Sequence, residues 1–238
     1  MTTERDGQVC VQELVAAIVN WGIEGAPIPN PLGGDSFHVP TAVQMAQDYR
    51  LRAESIGLER AIEELIEDQA RWNAGTGFLT GLGGFSFLPV QMPAAVTATW
   101  VIQTRLVATI ADLHGLDLKH EAVRTQILLT LLGDEAREVL KQFGVKLSQR
   151  IAQAQLRRLP AVVLEAINRA VGFRLVSRFG QQGVVNLHQA IPVLGGLVGG
   201  GIDYVMTRKL GEFAANELGR HGSSAAAEAD VIDVELIG

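Results

Sequence analysis

The chain has 238 residues, 47% apolar but only 5% aromatic, with 26 glycines and a net charge of −6. That length accommodates one large domain with a sizeable core or two small ones, and an apolar load carried by Ala, Val, Leu and Gly suits close-packed helices better than aromatic-rich sheets. A single cysteine, Cys10, excludes an internal disulfide and a structural zinc site.

Helical periodicity dominates, and no convincing alternating strand is found. The first expected helix runs from about Val9 to Trp21, closed by Gly22 and Gly25. "PIPNPLGGDSFHVP" reads as a loop from its prolines and glycines. A helix follows from about Thr41 to Glu54, then "LERAIEELIEDQARW", with Ile62, Leu65 and Ile66 facing inward. A long helix is expected from about Pro93 to Leu113, stopped by Gly115. Asp117 is placed to cap the next helix, which ends at Gly133, and Asp134 to cap the one after. The remaining helices are expected over Glu135 to Leu159, Ala161 to Leu175 and Pro192 to Leu218. The expectation is an all-α fold: a single compact multi-helix domain over residues 1–220, with a flexible acidic tail at 221–238 that is disordered or docks a partner through Asp230–Gly238.

Charge is unevenly spread. Met1 to Arg71 holds 12 acidic and 5 basic side chains, whereas Lys141 to Arg178 holds 8 basic residues and one acid, Glu165. Within the basic segment, Lys146, Arg150, Gln153 and Arg157 fall on one helical stripe. Such a stripe can lie on anionic headgroups, dock the acidic helices or simply be solvated. The acidic remainder and the lack of interleaved aromatics argue against nucleic acid.

Two long runs carry no Asp, Glu, Lys or Arg at all: Trp72 to Thr104 and Phe179 to Ile202. Glycines four apart punctuate both, Gly77 with Gly81, Gly195 with Gly199, and Gly196 with Gly200, a spacing that lets helix backbones approach closely. Prolines and glycines interrupt both runs before ~20 continuous apolar residues accumulate. Three readings stand: core helices, a membrane span, or shallow membrane contact through Phe85, Phe87 and Leu88 together with Lys146, Arg150 and Arg157.

Two polar residues sit where periodicity places apolar ones. Arg124 falls at the centre of the stripe of Ile127, Leu128, Leu131 and Leu132, and needs a carboxylate, Asp112 or Asp134 being nearest in sequence. Asn168 lies among Leu164, Val171 and Leu175 and should be hydrogen-bonded. They form either a structural network or, with Arg105 and Asp112, a polar pocket for an anionic group. His114, Asp117 and His120 match no standard metal spacing, "GTGFLTGLGG" lacks the lysine of a phosphate loop, and no nucleophile elbow or carboxylate pair stands out. No catalytic residue, metal or cofactor is expected.

"GFLTGLGGFSFLPVQMPAAVTATWVIQTRLVATIADLHG", "VRTQILLTLLGD", "INRAVGFRLVSRFG" and "IPVLGGLVGGGIDYVMTRKLG" resemble, in that order, the EcsC protein family, over about Trp72 to Gly219 with a looser match in the N-terminal helices. The resemblance implies a bacterial, helical, membrane-associated or membrane-proximal protein without established enzymatic chemistry. By that likeness it is cytoplasmic, peripheral to the inner membrane, and partnered by anionic lipid or a membrane protein such as a transporter or secretion component. It singles out Gly83, Gly84, Pro89, Arg105, Arg124, Asp134, Asn168, Arg174, Gly199, Gly200 and Asp203. A soluble adaptor that recruits a partner through its acidic tail, and a small-ligand binder or enzyme with a pocket around Arg124, are the alternatives.

Overall fold

The computed structural model describes residue 13 and residues 15–25, 27–28, 37–81, 94–145, 153–186 and 200–219. The expected tail, together with Cys10, Phe85, Phe87, Leu88, Lys146, Arg150, Gly195, Gly196 and Gly199, lies outside the described residues. Helix α1 covers residues 15–24 and ends at Gly25, whose φ of +80° suits only glycine well. The loop behind it holds one antiparallel pair of two-residue strands, β1 (Pro27–Ile28) and β2 (Phe37–His38), with Ile28 opposite Phe37. Apart from this pair, the described elements are helical.

Helix α2 (Ala42–Ile56) opens on a reciprocal cap: Gln44 N–H donates to Thr41 Oγ1 at 3.0 Å, and Thr41 N–H donates to Gln44 Oε1 at 2.9 Å. A single residue, Gly57 with φ +86°, turns the chain into α3 (Leu58–Gly81). Tyr49 seals this pair by donating to Asp68 Oδ2 at 2.6 Å. Helix α4 (Ala94–Leu113) packs on both α2 and α3. Helix α5 (Glu121–Leu132) is followed by a 3-10 turn at Gly133–Glu135 and by α6 (Ala136–Gln142). Helices α7 (Gln153–Leu156), α8 (Ala161–Asn186) and α9 (residues 200–219) complete the fold.

The core is continuous through α4 and α5, which join two groups of helices. Leu106, Val107 and Ile110 of α4 are fully buried beneath α2 and α3, and Ile127, Leu129 and Leu132 of α5 are buried against α8 and its neighbours. Helix α5 has nine buried residues spread round its circumference, so it is a central helix and not an amphipathic one. Helix α1 lies against α4, where a Cβ on Gly22 would come 2.6 Å from Thr104 Cβ. Gly22 is therefore a packing glycine inside the helix, and Gly25 alone closes it.

Three further expectations are corrected. His120 caps α5, its Nδ1 accepting from Ala122 N–H at 3.2 Å, while Asp117 accepts from Lys119 N–H within the preceding turn. Asp134 sits exposed in the 3-10 turn and caps nothing. The helix expected from Glu135 to Leu159 is broken at Gly144, whose φ of +71° ends the run. Helices α3 and α8, by contrast, run through Gly75 and Gly172 despite glycine's cost of roughly 1 kcal/mol in a helix, and at Gly172 the close approach of Val15 accounts for it.

Candidate functional site

Three helices meet in a way the charge-free runs foreshadow. Helix α3 runs antiparallel to α4, for Arg105 reaches back to Gln69 while Gln103 and Asn73 meet on one hydroxyl. Helix α9 runs antiparallel to α3. Gly211 lies on Ile66, Tyr204 donates to Glu67 Oε2 at 2.7 Å, and a Cβ on Gly200 would come 2.9 Å from the Ala74 carbonyl oxygen. The end of α3, the beginning of α4 and the beginning of α9 consequently lie at one pole of the molecule. Both charge-free runs attach to the fold there.

Helix α9 has a buried face along its length and, at this pole, an exposed apolar one. Gly200, Thr207, Gly211, Ala214 and Leu218 are buried. On the opposite side, Ile202, Val205 and Met206 are 54%, 47% and 41% exposed, with Lys209 beyond them, and α3 exposes Trp72 to 58%. Spacing of three and four residues gathers the three α9 side chains into one stripe. Exposed large apolar residues grouped in this way mark interaction surfaces. Asp203 lies between the buried and exposed faces. Burial alone pushes its carboxyl up to about 6, with no charge contributing among the described residues.

Beneath the pole is a buried polar layer. Asn73 donates from Nδ2 to Thr207 Oγ1 at 2.7 Å, and Gln103 Nε2 to the same oxygen at 3.4 Å. One turn further along α3, Arg105 is 3% exposed and donates to Gln69 Oε1 at 3.0 Å, its Nε unbonded. Among the described residues no carboxylate reaches it, and burial lowers its guanidinium to about 10. Asp112, about five turns from the pole near the far end of α4, instead pairs with Arg50 at 2.9 Å, a contact that misses hydrogen-bond alignment. Burial raises the Asp112 carboxyl, with Arg50 opposing that shift.

Arg124 stands elsewhere. As the one half-buried position in the first turn of α5, it donates to Leu118 O at 3.0 Å, Asn20 Oδ1 at 3.1 Å and Glu24 Oε1 at 3.1 Å. Its counter-charge is thus Glu24 of α1, neither Asp112 nor Asp134. Asn168 of α8 lines the same cavity, of about 400 Å³, together with Val15, Val19 and Leu128, and its Oδ1 has no hydrogen-bond partner among the described residues. The single pocket expected from Arg105, Asp112, Arg124 and Asn168 is therefore three separate arrangements. Glu24 already pairs with Arg124, and the cavity's other charged lining residues are the exposed Arg169, Glu121 and Glu165, a mixed set that does not single out an anion.

Arg174 forms a long ion pair with Glu138 at 3.8 Å. Arg157 is exposed in the turn after α7, off any helical stripe. Gly77 and Gly81 lie within α3 near the pole. No group of three potential metal ligands occurs among the described residues, and none of the described helices is long and apolar enough to cross a membrane. Sequence reasoning missed Gln69, Asn73, Gln103 and Thr207 as buried polar partners, and Trp72 as the exposed aromatic at the start of the first charge-free run.

The profile of the EcsC protein family matches residues 40–219, which extends the likeness from Trp72 back to Pro40 and so takes in α2 and α3. No curated protein matches the chain, and no solved structure does.

Proposed function

The chain belongs to the EcsC protein family, and from that premise we propose that it is a non-enzymatic protein that attaches to a membrane surface, in service of a transport or secretion system embedded there. One observation carries this reading: the attachment points of both charge-free runs and the exposed stripe of Ile202, Val205 and Met206 lie at the same pole, where α3 also exposes Trp72. An apolar pole on a folded body gains about 25 cal/mol for each Å² of apolar surface it takes from water. It can therefore sit in the headgroup boundary without spanning the bilayer. The buried polar layer of Asn73, Gln103 and Thr207 holds α3, α4 and α9 in register behind that surface.

Co-sedimentation with phosphatidylcholine and with anionic phosphatidylglycerol vesicles, at low and high salt, tests the proposal. Binding to both that survives high salt is expected, because apolar contact is not screened. The triple variant Ile202→Ser, Val205→Ser, Met206→Ser changes only exposed positions and should lose most of the binding while keeping its melting temperature. Binding confined to anionic vesicles and abolished by salt would move the contact to the basic segment. No binding to either vesicle would refute membrane attachment.

A further inference from the structure

Asp203 is a carboxylate at a place built without charge. The α3 and α4 residues around the pole belong to the run 72–104, which contains no Asp, Glu, Lys, Arg or His, and the run ending at Ile202 adjoins Asp203 on its own helix. Charged groups on the packed elements are engaged elsewhere. On α3, Glu67 accepts from Tyr204 and pairs with Arg71 at 2.8 Å. On α4, Arg105 is bonded to Gln69, and on α9 Arg208 is bonded to Glu212 at 3.0 Å while Lys209 lies on the exposed face. Asp203 itself makes no hydrogen bond or ion pair with any described residue. It is half-buried one position from Ile202 and two from Val205.

We propose that Asp203 is an acid-sensing element of the pole: protonation of its carboxyl removes the pole's remaining carboxylate charge and strengthens attachment to a bilayer. The proposal rests on the membrane reading above and adds its regulation. An ionised carboxylate carried towards hydrocarbon loses its hydration and has no partner here to replace it. The neutral acid avoids that loss. Burial already holds the carboxyl near the required range, at about 6. About a tenth of the molecules would then carry the neutral form at pH 7 and about nine tenths at pH 5. If only the neutral form seats fully, partitioning strengthens by about tenfold between those values.

The experiment measures co-sedimentation with phosphatidylcholine vesicles, whose zwitterionic surface minimises attraction to the protein's overall charge, at pH 5, 6 and 7. Wild type should bind about tenfold more tightly at pH 5 than at pH 7. Asp203→Asn, nearly isosteric and uncharged, should bind at pH 7 as wild type does at pH 5, with a flat profile. Asp134→Asn, an exposed acid in the 3-10 turn, should keep the wild-type profile. A wild-type profile that is flat although binding occurs would overturn the sensing role and leave membrane attachment standing. An Asp203→Asn variant that keeps the pH dependence would overturn it as well. Absence of binding by both proteins at every pH would overturn the membrane reading and this inference with it.

Discussion

Gly200 and Gly75 lie on facing helices, one residue from a shared contact, yet alanine should act oppositely at the two positions. At Gly200 an added Cβ would come 2.9 Å from the Ala74 carbonyl oxygen and 3.7 Å from its carbon. The obstacle is backbone, so α9 must move away from α3. Overpacking of this kind costs about 1–3 kcal/mol, offset by up to about 1 kcal/mol of gained helix propensity. With the full offset the net loss is up to about 2 kcal/mol, which for a protein of this size lowers Tm by up to about 8 °C. At Gly75, inside α3, a Cβ meets nothing within 4 Å. Only the propensity gain remains, about 0.5–1 kcal/mol, and Tm should rise by a few degrees. Thermal unfolding followed by circular dichroism at a fixed pH distinguishes the two. If Gly200→Ala were as stabilising as Gly75→Ala, α9 would not lie against α3 at this point, and the argument for a common pole would fail.

Asp203→Asn provides a second check, independent of lipid. Its carboxyl is raised to about 6 in the fold against about 3.9 in the unfolded chain, so the folded state binds the proton more tightly. Its contribution to stability is therefore fully present below about pH 4 and fades as pH rises through about 6. After allowance for partial exposure, Asp203→Asn should stabilise by about 1–2 kcal/mol at pH 7 and by little at pH 4; urea melts at both values would show a constant difference if the reasoning were wrong. Arg124→Ala should destabilise by about 2 kcal/mol, because three acceptors on α1 and the α4–α5 turn lose their donor together. An unchanged melting temperature for that variant would mean that α1 is held by its apolar contacts alone. The double change Arg105→Met, Gln69→Leu should leave Tm unchanged or raise it, since a buried cation without a carboxylate gives way to apolar groups. A drop of many degrees would refute that reading and point to an anion bound at Arg105.

Much of the helical plan was legible because its signals are local. Thr41 with Gln44 marks the start of α2, Gly115 the end of α4 and Gly133 the end of α5, each through contacts within a few residues. Asp117 misled for a reason equally local: an Asx-type bond to Lys119 N–H competes with capping, and His120 stood closer to the helix. The pairing of polar groups was not legible. Arg124 and Glu24 lie 100 residues apart and Asn73 and Thr207 lie 134 apart, so no spacing rule connects them. Arg124 also looked buried because periodicity assigns one apolar face to a helix, whereas α5 is surrounded on nearly every side. The pole itself was half visible, for the charge-free runs were plain in the sequence and only the antiparallel packing of α9 on α3 brought their attachment points together.

That packing also sets an order of events during synthesis. The partners of Asn73 and Ile66 are Thr207 and Gly211, which leave the ribosome well over a hundred residues later. At about 5–20 residues per second, α3 and α4 therefore wait on the order of 10 s with their α9-facing groove uncovered. Throughout that interval the α9-facing side of α3 and α4 lacks the Thr207 hydroxyl that both Asn73 and Gln103 donate to in the finished fold.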